Sequence, residues 1–237
     1  MGTQARPRLV GVLFIAATVA SVLGVYLLGS RLEDSDYLTN VAAEETRITI
    51  VALLDCVAAA LIIAIAVMMF PVLSRDDARV GLGYVAARLV EATITVVGAV
   101  GLLSVLTLSQ DYVQTAPSGP SDFEPLGSVL LAVRDWTDAI GAQTAFALSA
   151  LILNASFYRT GLLPRFISVW GLIGGALALA AGLLGLFSGD PFSSISIILF
   201  VPIALNEMVL AVWLIVRGFS APTTSAGPGD PRAAGGT

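Results

Sequence analysis

The sequence of 237 residues has no histidine, no lysine and one cysteine, and only 12% of its residues are charged. Without histidine there is no His-held haem, no His-ligated zinc and no Ser–His or Cys–His nucleophile pair. With Cys56 alone there is no internal disulfide. Every basic residue is arginine. Together with the abundance of Ala, Gly and Val, this is the coding bias of a GC-rich bacterial genome and carries no mechanism. The formal net charge of −5 argues against nucleic acid as a partner.

What is present is apolar. Soluble domains are about 45–50% apolar, with about a quarter of their residues charged. This chain is 57% hydrophobic with a mean hydropathy of +0.90. That combination puts it in lipid before any motif is read. The expected fold is all-α, a polytopic bundle.

A membrane-spanning helix needs about 20 apolar residues. Six segments qualify, at about 9–28, 48–73, 80–108, 129–157, 166–187 and 195–216. Arg6 and Arg8 precede the first, as in a secretory signal. Its apolar run exceeds the roughly 7–15 residues of a signal core, and no small-x-small cleavage site follows, so it reads as a retained span. Arginine-rich loops stay in the cytoplasm. Arg6, Arg8, Arg75, Arg79, Arg159, Arg165, Arg217 and Arg232 fall on one side, and Arg31 and Arg47 on the other. The expected topology is therefore N-in and C-in, in a bacterial plasma membrane.

The outer loops differ in kind. The first carries Glu33, Asp34, Asp36, Glu44 and Glu45, with a short surface helix expected around Tyr37 to Glu45. The third, Ser109 to Gly127, holds Pro117, Pro120 and Pro125 and reads as irregular. The fifth, Ser188 to Ser193, reads as a tight turn. The segment 220–237 is rich in Pro, Gly, Ala and Thr and reads as a disordered cytoplasmic tail. Gly171 and Gly175 form a GxxxG, expected to pack inside the chain.

The informative residues of a membrane bundle are its polar ones. A charge at a helix centre costs about 2.5–3.5 kcal/mol, and one Leu, Ile, Phe or Val returns about 0.3–0.6. The third span carries both Arg88 and Glu91, a cost of about 5–7 kcal/mol against about 4 returned by its Leu, Ile and Val residues. Tyr84, Arg88, Glu91 and Thr95 share one face by helical spacing, and Arg88 and Glu91 can pair directly. That face should point inward.

Partners are available elsewhere. Asp55 lies in the second span, Asn206 and Glu207 in the sixth, and Arg134, Asp135 and Asp138 near the outer end of the fourth, with Gln143 one turn deeper. At 1.5 Å per residue, Glu207 lies about 15 Å and Arg88 about 13 Å from the cytoplasmic edge, so the two can meet. These ten residues (Asp55, Tyr84, Arg88, Glu91, Arg134, Asp135, Asp138, Gln143, Asn206 and Glu207) are the candidate polar site. The expected arrangement is an outward-opening polar cavity with Arg88 at its floor.

Three roles compete for that site. A buried arginine held by carboxylates can simply fix helix positions. Carboxylates at mid-depth can exchange protons, and an arginine can hold an anion, as in a small-solute or proton-coupled transporter. An enzyme is the least favoured, because no paired-carboxylate or serine motif stands out. No cofactor and no metal are implied. Membrane lipids are the expected partners, with a small polar or anionic ligand as a further one. The oligomeric state is not legible.

Several stretches resemble a bacterial multi-pass family catalogued as domain of unknown function 4386. They are YLTNVAAEETR (Tyr37 to Arg47), FPVLSR (Phe70 to Arg75), LGYVAARLVEA (Leu82 to Ala92), SVLTLSQ (Ser104 to Gln110), VRDWTDAIG (Val133 to Gly141), LLPRFISVWGLIG (Leu162 to Gly174) and PIALNEMVLAVWLIVRGF (Pro202 to Phe219). The resemblance implies an integral membrane protein. It brings no agreed activity, ligand or catalytic residue. Asp55 stands where glutamate is expected in relatives, which keeps the carboxylate. The reading is an integral membrane protein of unknown activity with a buried Arg–carboxylate network. The alternatives are the transporter and a structural or regulatory partner protein acting through its outer loops.

Overall fold

The computed structural model describes residues 7–29, 32, 36–75, 77–115, 123–189 and 193–220. These residues form helices and turns, with no strand among them. In chain order the helices are α1 (Pro7–Leu28), α2 (Tyr37–Ala43), α3 (Glu45–Leu73), α4 (Ala78–Thr115), α5 (Phe123–Thr137), a π-helical segment (Asp138–Ala145), α6 (Phe146–Thr160), α7 (Arg165–Ser188) and α8 (Ser194–Val216). The α5–π–α6 run forms one rod over Phe123–Thr160. Six helices among the described residues are long and apolar enough to cross a membrane.

The spans close into a ring. Each packs on its neighbour in sequence, and α8 closes against α1. Short connections make consecutive helices antiparallel, so an even number returns the chain to its starting face. Contacts at that face agree: Gly218 lies against Pro7, Ser220 N–H donates to Leu162 O at 2.9 Å, and the Phe157 and Phe219 rings are 6.1 Å apart. Segment 221–237, where the disordered tail was expected, lies outside the described residues.

The opposite face departs from the expected loops. Hydropathy ends the third span at Leu108, but α4 continues to Thr115 and α5 begins at Phe123, so Ser109 to Gly127 is not an irregular loop throughout. Pro117 and Pro120 lie outside the described residues, and Pro125 sits in the first turn of α5, where a missing N–H costs nothing. The 38 residues of α4 rise about 57 Å, far more than the roughly 30 Å of hydrocarbon. The surplus is packed. Val41 of α2, Ile48 and Val51 of α3, and Leu102 and Val105 of α4 share a buried core with Leu130 and Leu131 of α5 against it. The short surface helix is present as α2, from Tyr37 to Ala43.

Small residues set the helix spacing. Gly171 lies against Asn154, and a Cβ on Gly175 would come within 3.0 Å of Leu151. A Cβ on Gly174 would lie 3.0 Å from the Ile203 backbone. The glycine stripe of α7 is thus used between α7 and its neighbours α6 and α8, where small residues let backbones approach. Several hydroxyls inside the spans turn back on their own helices, as Thr95 does on Glu91 O (3.0 Å) and Ser109 on Val105 O (2.8 Å). Such bonds satisfy a polar side chain where no water is available.

Candidate functional site: two charged clusters

The inward face expected on the third span is observed. Tyr84, Arg88 and Glu91 are all buried on α4, one turn apart, and Arg88 is 2% exposed. Arg88 Nη1 donates to both Glu91 carboxylate oxygens, at 3.1 and 3.2 Å. Its Nε donates to the Tyr84 hydroxyl at 3.1 Å. Its Nη2 reaches across the bundle to Glu207 Oε1 on α8, at 3.4 Å. The rings of Phe14 on α1, Tyr84 on α4 and Phe146 on α6 stand 5.3–5.7 Å from the guanidinium carbon. One arginine therefore ties together four helices. Ionised partners make its hydrogen bonds strong, and the aromatic faces supply a matching negative field.

The second cluster lies nearer the face opposite the two termini. Arg134, at the end of α5, is 8% exposed, and its Nη1 is 3.6 Å from Asp55 Oδ2 on α3. Asp138 follows one turn later, at the start of the π-helical segment, and has Arg134, Asp55 and Asp135 as its charged neighbours. In that segment Thr144 Oγ1 donates to Ala139 O, five residues back, at 3.0 Å. Such wide turns are rare and concentrate at functional sites.

The ten expected site residues therefore divide. Tyr84, Arg88, Glu91 and Glu207 form the central cluster. Asp55, Arg134 and Asp138 form the second one. Asp135 is exposed on the neighbouring side of α5. Gln143 is half-buried in the π-helical segment, near Gly182 of α7. Asn206 belongs to neither cluster: its side chain donates to Ile167 O on α7 at 2.9 Å and joins α7 to α8. The aromatic box around Arg88 was missed. Phe14 sits in an apolar segment and Phe146 follows Gln143 and Thr144, and in neither sequence does anything distinguish a ring over a cation from ordinary packing. Arg88 is enclosed by those rings, and none of the cluster residues lines the surface groove along Met208–Arg217 or the one along Ala42–Arg47.

Neither the curated proteins nor the solved structures yield a match. A family model does match, over residues 9–218, which takes in all the described spans but the first two residues of α1. The buried charges, the six apolar helices and that match agree, and the chain belongs to the family described as Domain of unknown function (DUF4386).

Proposed function

We propose that the central cluster is an ionic clamp that fixes the relative positions of the spans in a bacterial plasma-membrane protein with both termini in the cytoplasm. The observation that carries this is the occupation of Arg88. All three of its nitrogens donate, to Tyr84, Glu91 and Glu207, and three rings surround the guanidinium. A guanidinium so held and so enclosed presents little to an incoming anion. The arginine distribution, eight on the terminal side and two opposite, supports the orientation. Hydrogen exchange of the purified protein tests the clamp. In Arg88→Met, amides around Ile203–Leu210 of α8 should exchange faster, while those of Val51–Ala59 on α3 stay protected. Unchanged protection of α8 would remove the proposal.

A second reading, proton-coupled movement of a small solute through a polar cavity, is favoured by the charge count. Two carboxylates face one guanidinium, and a net charge in hydrocarbon is expensive. A cluster with a surplus carboxylate is a place for a proton or cation. Flux into proteoliposomes that depends on pH and disappears in Glu207→Gln would favour this reading over the clamp.

A further inference from the structure

Three arginines meet at the end of α8 without acidic company. Gly218 lies against Pro7, so the start of α1, with Arg8, meets the end of α8. The Phe166 ring meets Trp213 edge-on, with centroids 6.4 Å apart, and Arg165 precedes it at the start of α7. Arg217 is the C-cap of α8, and its guanidinium carbon lies 5.8 Å from the Trp213 ring centroid. All three arginines are exposed, and among the described residues none has a carboxylate within 4.0 Å. α1 and α7 also begin with no acidic residue in the first turn, although a helix N-terminus favours negative charge. A groove leads away from this corner. Met208, Val209, Val212, Trp213 and Val216 line it along one side of α8, and Arg217 stands at its end. From Met208 to Arg217 the helix rises about 14 Å. The hydrocarbon of one leaflet is about 15 Å deep, half of about 30 Å. The groove therefore has the length of one acyl chain, with a cation at the depth of that chain's phosphate.

We propose that this groove docks one anionic phospholipid, in the leaflet at the face where α1 begins and α8 ends. An acyl chain lies along Val209, Val212 and Val216, Arg217 binds the phosphate, and Arg8 and Arg165 supply the surrounding positive field. None of the Arg217 side-chain N–H groups bonds to a described residue, so its planar fork is available to two phosphate oxygens. The Trp213 indole N–H is buried with no hydrogen-bond partner, whereas a buried indole usually finds one. Packing alone fixes that ring, and turning it toward the groove breaks no hydrogen bond. Arginines grouped at a membrane surface attract anionic lipid. The headgroup choice follows from the missing carboxylates: phosphatidylethanolamine would bring an ammonium to a corner that offers it no partner. The groove shares no residue with the Arg88 clamp and does not depend on it.

The test uses the full-length protein in nanodiscs of equal phosphatidylglycerol and phosphatidylethanolamine, with retained lipids counted by native mass spectrometry. Wild type should keep one phosphatidylglycerol in preference to phosphatidylethanolamine. Arg217→Gln removes the phosphate contact, and Val212→Trp fills the groove. Each should lower phosphatidylglycerol retention at least about fivefold. Both positions are exposed, so each variant should melt in detergent like wild type. Arg79→Gln removes an exposed arginine at the start of α4, on the same face, and should leave retention unchanged. Equal retention of the two lipids by wild type overturns the proposal. So does retention that survives either groove substitution. An equal loss in all three variants also overturns it, because it marks a diffuse attraction between arginines and anionic lipid.

Discussion

Replacing Arg88 with methionine keeps much of the side-chain volume and removes the positive charge. It deletes two bonds to Glu91, one to Glu207 and one to Tyr84. It also leaves two carboxylates in the bundle interior with side-chain exposures of 6% and 18%. Removing one partner from a buried ion pair costs about 3–5 kcal/mol, most of it from the stranded charge. Glu207→Gln is a different perturbation. The amide oxygen still accepts from Nη2, Glu91 still pairs with Arg88, and the cluster becomes neutral. Its cost should be about 1 kcal/mol, the worth of an ordinary hydrogen bond. Glu91→Gln falls between, at about 2–3 kcal/mol, because it weakens two charge-assisted bonds. SDS titration in mixed micelles, followed by tryptophan fluorescence, measures the three. The expected order of cost is Arg88→Met, then Glu91→Gln, then Glu207→Gln. An Arg88→Met protein as stable as wild type, or a Glu207→Gln protein that is the worst of the three, refutes the reasoning.

Further outcomes follow from the packing and from the face opposite the termini. Gly11→Ala should lower the melting temperature, because its Cβ would press on Ala211 O at 2.5 Å and on Ile215; overpacking of this kind costs about 1–3 kcal/mol. Gly101→Ala has nothing within 4 Å and should melt like wild type, so equal effects of the two would count against the helix spacing described. Tyr37→Phe should be neutral or stabilising at pH 7, since the hydroxyl is buried without a hydrogen bond. Burial, with a smaller contribution from Glu124, raises the Tyr37 phenol above its ordinary value. The unfolded chain therefore loses that proton first, and wild type should lose stability as pH rises above about 10. Tyr37→Phe should lose less over that range, and parallel pH–stability curves would contradict the assignment. Reporter fusions at residue 5 and after residue 220 should both report the cytoplasm, and opposite reports would overturn the orientation.

The pairing of Arg88 with Glu91 was legible because helical spacing fixes which side chains share a face. Glu207 was legible because rise per residue converts sequence distance into depth. Neither rule says what else surrounds a charge, and so Phe14 and Phe146 went unseen. The ends of α4 and α5 were missed for a different reason. Hydropathy marks the part of a helix that sits in hydrocarbon and is silent about the turns that project beyond it. The π-helical segment left no recognisable mark, because its widening depends on how Asp138–Ala145 packs against α4 and α7. Asn206 was grouped with Glu207 by adjacency. Successive residues on a helix point about 100° apart, so one faces α7 and the other faces Arg88.

A charge exchange tests the contact between α4 and α8 most directly. Arg88→Glu alone, and Glu207→Arg alone, should each prevent accumulation of a monodisperse protein in mild detergent. The double variant puts a guanidinium on α8 opposite two carboxylates on α4, the introduced one and that of Glu91. It should recover a monodisperse, cooperatively melting species. Recovery no better than the worse single variant, or a Glu207→Arg protein that behaves like wild type, would contradict the clamp.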